Sequence, residues 1–382
     1  MSDWIPVNDP LLDGNEFKYV ADCIATGWIS SEGEYVDRFE QGMAEAVGRK
    51  FGIAVCNGTA ALELAVASLG LEPGSEIIVP TFTIVSCVAA ILRNRCVPVL
   101  VDSDPETWNM DPEAIEPNIT PRTRAIMAVH LYGLPADMDT IAKLAEKYGL
   151  FVIEDASQSI GQTYRGKPCG SFGNVSVFSF YANKHITTGE GGMIMTDDER
   201  IAARCRSLRN LAHLPDRRFV HEELGYNFRM SNLQAAVGLA QLERLDRIVA
   251  RKREMGAHYN ELLSDAEGVQ LPLPATPQAE SIFWVYGIVL DDAVPCDAKI
   301  VMADLAALGI GTRPFFWPMH EQPVFRKAGL FAGQSHPVAE RIARRGFYIP
   351  SGLKLTAQQR ICVADALKRV LIARIRGSIA PA

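Results

Sequence analysis

The chain has 382 residues, of which 48% are apolar and 22% are charged, and its formal net charge is −7. This composition is typical of a globular protein large enough for two or three domains of about 150 residues each. The acidic balance excludes the broad basic surface of a nucleic-acid-binding protein.

The N-terminal MSDWIPVNDP lacks the basic and apolar regions of a signal peptide, and no apolar run is long enough to span a membrane, so we expect a cytoplasmic protein. The eight cysteines show no CxxC spacing, which predicts free thiols and no metal site.

The first two thirds of the chain alternate strand-like and helix-like segments. A strand-like FGIAVCN is followed by the helix-like TAALELAVASLGL, and MDTIAKLAEKYG is a further helical pattern. Apolar strands alternating with helices predict a mostly parallel sheet covered on both faces. The other strand-like segments, in chain order, are EIIVP, VPVLVDSD, AIMAVHLYG, LFVIEDAS, VSVFSF and GMIMTDD.

The pattern changes after about residue 245. LERLDRIVARKREMGAHYNELLSD predicts one long amphipathic helix, and the proline-rich LPLPATPQ, a short strand in FWVYGIVLDD and helices over 298–309 and 357–374 follow. We therefore predict a large α/β domain over residues 1–245 and a smaller C-terminal α+β domain over 246–382. Ligands of open α/β sheets bind outside the carboxyl ends of the strands, so the site is expected there.

CNGTAAL (56–62) joins a strand to a helix through an Asn-Gly turn. The backbone N–H groups of Gly58, Thr59 and Ala60 would point outward from a positive helix N-terminus, and the Thr59 hydroxyl adds a donor. This arrangement can cradle a phosphate. The alternative is a plain helix start with Thr59 as its N-cap.

VIEDASQS and FSFYANK supply ionisable groups at two further strand ends. Adjacent strand residues face opposite sides of a sheet, so Glu154 and Asp155 cannot share one role. Apolar neighbours should desolvate Lys184, lower the pKa of its amine and make it a nucleophile for a carbonyl. The alternatives are a solvated strand end and a lysine that extends to water. Together, an amine, a carboxylate and a phosphate cradle are what pyridoxal 5′-phosphate (PLP) requires.

Several motifs closely resemble the DegT/DnrJ/EryC1/StrS family of PLP-dependent sugar-nucleotide aminotransferases. The resemblance runs from GWISSEGEYVDRFE (27–40) onward, and its other motifs are NGTAAL, PTFTIVS, HLYGLPADMD, VIEDASQSIG, FSFYANK, TTGEGGMI and GYNFRMSNLQAAVGLAQL. It implies a fold-type I aminotransferase that forms a homodimer with shared active sites. It also implies a 4-keto-6-deoxy nucleotide sugar as amino acceptor and L-glutamate as donor.

Within the family, VDSDPETWNMD, GWISSEG and YANKHITTGEGG are most similar to members that aminate GDP-4-keto-6-deoxy-D-mannose at carbon 4. Members that act on dTDP- or UDP-linked 4-keto sugars share the cofactor motifs, so they stay open as an alternative. A PLP-dependent sugar dehydratase of the family would have histidine in place of Lys184. A regulatory PLP-binding protein without turnover would not need the complete cofactor set. A dinucleotide-binding oxidoreductase is disfavoured because GEGG opens a strand and not the first βα unit.

By position, the resemblance implies a role for each cofactor residue. Lys184 binds the cofactor aldehyde and shuttles a proton, Asp155 pairs with the pyridine nitrogen, and Gln158 lies against the cofactor. Ile84 stands where some members carry an aromatic ring, and it can offer only apolar contact. The implied phosphate ligands are Thr59, Ser179 and, from the partner subunit, Asn227.

The substrate side is predicted with alternatives. The candidates are Trp28, Ser30, His185, Phe316 and His320, and His130 lies at another strand end. For His185 we favour packing behind the site over an acid/base role. The segment TRPFFWPMHEQPVF, which carries Phe316 and His320, could instead be a proline-stiffened loop that closes the smaller domain.

Overall fold

The computed structural model describes residues 4–214 and 216–377. Within them the helices are α1 (Glu16–Thr26), α2 (Glu34–Val47), α3 (Gly58–Ser68), α4 (Val85–Arg93), α5 (Met138–Tyr148), α6 (Glu199–Arg209), α7 (Asn232–Leu242), α8 (Leu245–Leu262), α9 (Ala298–Ala307), α10 (Pro323–Lys327), α11 (Pro337–Arg345) and α12 (Ala357–Ile375). Short 3₁₀ turns cover Pro112–Ala114, Glu116–Asn118 and Met319–Glu321.

The strands are β1 (Phe51–Val55), β2 (Glu76–Pro80), β3 (Val97–Val101), β4 (Thr123–Val129), β5 (Phe151–Asp155), β6 (Thr163–Tyr164), β7 (Lys167–Pro168), β8 (Val175–Ser179), β9 (Gly192–Thr196), β10 (His213–Leu214), β11 (Arg217–His221), β12 (Val269–Gln270), β13 (Tyr286–Leu290), β14 (Arg313–Pro314) and β15 (Gly346–Ile349).

A seven-stranded sheet in the order β1-β9-β8-β5-β4-β2-β3 forms the larger core. Only β9 runs against its neighbours, and β8, β5, β4, β2 and β3 pair in parallel. Strands β2 and β9 are buried along their whole length. Burial on both faces explains why these strands read as continuous apolar runs and not as alternating ones. The predicted α/β class with a mostly parallel sheet is confirmed.

A second sheet of four antiparallel strands, β12-β13-β15-β14, follows in the chain. Its core is completed by α8, α9 and α12, through residues such as Tyr259, Leu305 and Leu367. The boundary proposed at residues 245/246 falls where α8 begins, and the division into two domains stays a prediction. In the part of the chain that the structure describes, no helix combines the length and apolar character that crossing a membrane requires.

The parallel strands bring their carboxyl ends to one edge of the larger sheet. β1 ends just before α3, β2 just before the turn into α4, and β5 and β8 end at Asp155 and Ser179. Side chains at these strand ends are far apart in sequence but meet at this edge, which is where such sheets bind ligands.

Candidate active site

A cavity of about 680 Å³ opens at this edge, between the larger sheet and residues of the second sheet. Residues from the second-sheet region, including Arg313 and Tyr348, close one side of it. The predicted cofactor-binding residues that line the cavity are Gly58, Thr59, Ala60, Ile84, Asp155, Gln158, Ser179 and Lys184. Asn227 does not line it.

One end of the cavity is built by the start of α3. Asn57, and not Thr59, is the N-cap of this helix, and its side-chain oxygen accepts from the Ala60 N–H at 2.8 Å. The Ala60 N–H is therefore already hydrogen-bonded, which corrects its predicted role as a phosphate donor. Because Asn57 is the N-cap, the alternative in which Thr59 caps the helix is wrong as well. Among the described residues, the N–H groups of Gly58 and Thr59 have no acceptor, as expected for the first turn of a helix.

Hydroxyl groups surround these two free donors. The Thr59 and Ser86 hydroxyl oxygens are 2.8 Å apart. Ser179 packs so closely that a Cβ on Gly58 would lie 2.7 Å from its Cβ and 3.0 Å from its Oγ. Only glycine allows this approach, so the turn brings backbone donors and hydroxyls around one small volume suited to an anion.

Asp155 provides the carboxylate of the cavity. It ends β5 and is buried, its Oδ1 accepts from the Ser157 N–H at 3.0 Å, and its Oδ2 accepts from the Cys87 thiol at 3.5 Å. Gln158 lies in the same turn and accepts from the Tyr132 N–H at 2.8 Å. The carboxylate is thus held in place from two sides by groups of the protein itself.

Lys184 follows β8 in a turn in which its N–H donates to the Tyr181 carbonyl at 2.9 Å. Its side chain is half-buried, and its Nζ lies 3.6 Å from the centre of the Trp284 ring. Burial lowers the pKa of the amine to about 7, although the charge of Asp155 acts in the opposite direction. A substantial fraction of the amine is therefore neutral, and hence nucleophilic, at neutral pH.

Aromatic rings form the second side of the cavity. Tyr132 stacks on Phe316 with centroids 5.6 Å apart and on Trp284 with centroids 6.1 Å apart. Ile84, which is 38% exposed, presents an apolar side chain to the cavity. These groups give the cavity an apolar wall beside its polar end, which is the usual character of a small-molecule site.

The structure places the predicted substrate residues in different surroundings. Phe316 lines the cavity. The expectation for His320 is corrected, because its ring is 1% exposed and its two nitrogens lie 2.8 Å from the Thr81 hydroxyl and 3.0 Å from Glu340. His185 is fully buried, burial lowers the pKa of its imidazole well below the usual range, and it does not line the cavity.

His130 is also unavailable to a ligand, because its ring is buried between Glu154 (2.9 Å) and the Ala136 N–H (3.1 Å). Trp28 and Ser30 line a separate cavity of about 930 Å³. Their contact with substrate stays a prediction.

Some lining residues were not found from the sequence. Asn57 could have been, because asparagine before a helix is a strong N-cap signal. Nothing local marks Trp284, which lies in a strand-like apolar segment and reaches Lys184 only through the tertiary fold. The same holds for Arg313 and Tyr348, which enter the cavity from the second sheet.

These residues fit PLP. The cavity offers an amine of lowered pKa, a buried carboxylate, free backbone N–H groups at a helix start and a glycine whose Cβ would close the phosphate end against Ser179. The three chemical features of PLP, its aldehyde, pyridine nitrogen and phosphate, each find a complementary group.

Known proteins are similar to this chain in sequence and in fold. A family model for the DegT/DnrJ/EryC1/StrS aminotransferase family matches residues 10–368. The GDP-perosamine synthase of Caulobacter vibrioides is 44% identical over 96% of this chain and 98% of its own length. That of Vibrio cholerae is 39% identical over 95% of this chain and 98% of its own length. The crystal structure of DesI in the presence of its TDP-sugar product matches with a TM-score of 0.87 and 32% identity, over 99% of this chain and 94% of that one. The chain therefore belongs to the DegT/DnrJ/EryC1/StrS aminotransferase family.

Proposed function

We propose that the protein uses PLP to transfer the amino group of L-glutamate to carbon 4 of GDP-4-keto-6-deoxy-D-mannose, which yields GDP-perosamine. The observation that carries this proposal is the position of Lys184. Its amine, of lowered pKa, lies in a cavity that also holds the Asp155 carboxylate and the free N–H groups at the start of α3.

PLP, when bound, supplies a carbonyl that condenses with amines and a pyridine ring that withdraws electrons from the carbon being deprotonated. Lys184 holds the cofactor aldehyde and, when its amine is free and neutral, accepts and returns the proton at Nζ. Asp155 keeps the pyridine nitrogen protonated through a carboxylate that Ser157 and Cys87 orient. Gly58, Thr59 and the Ser179 hydroxyl hold the phosphate.

The substrate is proposed from the relatives. Two relatives named GDP-perosamine synthase are 44% and 39% identical over almost the full length. A second candidate is a dTDP-linked 4-keto sugar, because DesI, which was solved with a TDP-sugar product, has nearly the same fold. Arg313 and Phe316 line the cavity and are the side chains that we propose meet the substrate.

We also propose that two copies of the chain complete each site. Asn227 is exposed and forms a main-chain β-bridge with Asn210. Asn210 lines the same cavity as Trp28 and Ser30. Among the described residues, the arginines that line that cavity are Arg206, Arg209, Arg218 and Arg229. Arg209 is paired with Glu40 and Glu32 also lines the cavity, so the positive charge beside Asn227 comes from Arg206, Arg218 and Arg229. These guanidinium groups suit the phosphates of a cofactor or nucleotide sugar bound to a partner subunit.

The decisive experiment incubates the PLP-loaded protein with L-glutamate and, in separate reactions, GDP-, dTDP- and UDP-linked 4-keto-6-deoxy sugars. Formation of 2-oxoglutarate and the mass of the nucleotide sugar are followed together, and Lys184→Ala is the inactive control. We expect amination of the GDP sugar at the highest kcat/KM.

Amination of the dTDP sugar alone would favour the second candidate. Loss of a hydroxyl without consumption of glutamate would indicate a dehydratase. No reaction with any sugar, in protein shown to hold PLP, would contradict the proposed transfer.

A further inference from the structure

The amine of Lys184 lies over the face of the Trp284 ring, 3.6 Å from its centre. We propose that Trp284 is a positioning residue that holds the Lys184 amine inside the cavity, by a cation–π contact, whenever that amine is protonated and not bonded to the cofactor. The inference rests on the proposed role of Lys184 in transamination. In that role the lysine must leave the cofactor and return to it, so its free position matters.

The Trp284 ring is itself fixed relative to Lys184. Its Nε1–H donates to the carbonyl of Asn183 at 2.7 Å, which is the residue directly before the lysine. The ring also stacks on Tyr132, with an angle of 19° between the two rings. The indole is 4% exposed. The ring is therefore linked by a hydrogen bond to the backbone that carries the lysine.

The main chain of Trp284 is held from behind. The buried Lys252, on α8, donates to the carbonyls of Trp284 at 2.9 Å and Ser351 at 2.5 Å. On the other side the main chain of Trp284 lies against Gly133. A Cβ at Gly133 would come within 2.6 Å of the main-chain nitrogen of Trp284. The main chain of Trp284 is thus anchored to α8, and rotation of the indole away from the lysine would break its Nε1–H bond to the Asn183 carbonyl.

The ring has a definite electrostatic effect. The negative face of an indole stabilises an ammonium group above it, more strongly where water is excluded. The ionisable groups whose charge acts on the Lys184 amine include the Asp155 carboxylate, the Cys87 thiol and the neighbouring His185, with Lys252 behind His185. The same cavity is also lined by ionisable side chains of Glu63, Arg93, Tyr132, Tyr181, Glu190, Arg313 and Tyr348. Burial favours the neutral amine and lowers its pKa, whereas the Trp284 face favours the ammonium form and acts against that decrease. The two effects together keep the pKa of the amine close to neutral pH, where it can both gain and lose a proton.

The test measures the ionisation of Lys184 without turnover. Full-length protein freed of cofactor is treated with a small acylating reagent over a range of pH, and modification of Lys184 is read by peptide mass mapping, which separates it from Lys252. Trp284→Leu removes the aromatic face, and Trp284→Phe keeps a face but loses the Nε1–H. Trp317→Leu is the matched control, because Trp317 packs against Arg344 and does not line the cavity.

Trp284→Leu should shift the labelling midpoint of Lys184 to lower pH by roughly half to one and a half units, the range expected for a desolvated cation–π contact. Trp284→Phe should retain most of the wild-type midpoint, and Trp317→Leu all of it. An unchanged midpoint in Trp284→Leu, or equal shifts in the leucine and phenylalanine variants, would overturn the proposal.

A second measurement covers the case in which Trp284→Leu does not fold. The tryptophan fluorescence of the cofactor-free wild-type protein should titrate with the labelling midpoint of Lys184, and Lys184→Met should abolish that transition. A transition at the labelling midpoint of Lys184 that survives in Lys184→Met would overturn the cation–π contact. Neither readout involves a substrate, so failure of the sugar assay with a positive result here would reject the proposed function and leave the positioning role standing.

Discussion

Glu154 and Asp155 are adjacent in β5, yet their carboxylates serve opposite sides of the sheet. Asp155 lines the cavity and accepts hydrogen bonds from the Ser157 N–H and the Cys87 thiol. Glu154 faces away, is fully buried, and accepts from the N–H groups of Gly170 at 2.6 Å and Phe172 at 2.8 Å, with the His130 ring at 2.9 Å. Substitution of Asp155 should therefore affect catalysis, and substitution of Glu154 should affect stability.

Asp155→Asn should reduce kcat far more than affinity for PLP. The amide keeps the shape of the side chain but removes the charge that holds the proton on the pyridine nitrogen, so we expect kcat to fall by about a hundredfold to a thousandfold. Steady-state kinetics and a cofactor titration measure the two effects. If affinity is lost and kcat is retained, Asp155 is not the partner of the pyridine nitrogen.

Glu154→Gln should lower stability and leave chemistry nearly intact. Glutamine has one acceptor oxygen where the structure uses two, and its NH₂ group would face a backbone N–H. Leaving one such donor unsatisfied in the interior costs about 1–3 kcal/mol in free energy of unfolding. Urea unfolding and kcat at a temperature at which both proteins are folded provide the comparison. Losses of kcat equal to those of Asp155→Asn would show that the two acids act together.

Lys184→Ala should still bind PLP through the phosphate end and Asp155 but should lose turnover. We expect kcat to fall by roughly a thousandfold or more, because both the attachment of the cofactor and the proton transfer depend on this amine. The near-visible absorbance of the bound cofactor should change as well. Lys143→Ala, an exposed lysine on α5, is the matched control and should behave as wild type. Turnover at the wild-type rate in Lys184→Ala would reject the role of this lysine.

Lys184, Asp155 and Ser179 could be predicted from sequence because each stands at the end of an apolar strand, and such ends meet in a parallel sheet. The contact of Lys184 with Trp284 could not, because it joins segments a hundred residues apart through side-chain packing. His320 shows that closeness in sequence does not predict a shared site either. It is close to Phe316 in sequence, but the 3₁₀ turn Met319–Glu321 directs its ring to Thr81 and away from the cavity.

Lys252 should make stability rise with pH above neutrality. Burial lowers the pKa of its amine from an ordinary 10.5 to about 7. Below the folded pKa both states carry the proton. Between the two values the unfolded chain binds more protons, so the free energy of unfolding rises by about 1.4 kcal/mol per pH unit for this group.

Lys252→Met removes this contribution. Relative to wild type, the variant should therefore become progressively less stable as pH rises through the window from the folded to the unfolded pKa. Urea unfolding of both proteins at several pH values tests this, and because Lys184 is present in both, its own titration cancels. Parallel stability curves would mean that Lys252 is not neutral in the folded protein.

Asn227 should act on the active site of the partner subunit. Asn227→Asp keeps the size of the side chain and places a carboxylate where the resemblance implies contact with the cofactor phosphate, so like charges should repel and activity should fall. Mixing this variant with Lys184→Ala and allowing subunits to exchange should restore activity. In a hybrid dimer one site takes both changes and the other takes neither.

The maximum recovery is roughly a quarter of wild-type activity, because half of randomly mixed dimers are hybrids and each has one intact site of two. Lys184→Ala mixed with Asp155→Asn is the matched control. Both residues line the cavity of the same chain, so either site of that hybrid lacks one of them and no activity should return. Recovery with Asn227→Asp but not with Asp155→Asn would support shared sites. No recovery in either mixture, with hybrid dimers demonstrated by mass, would assign Asn227 to its own chain's site or to none.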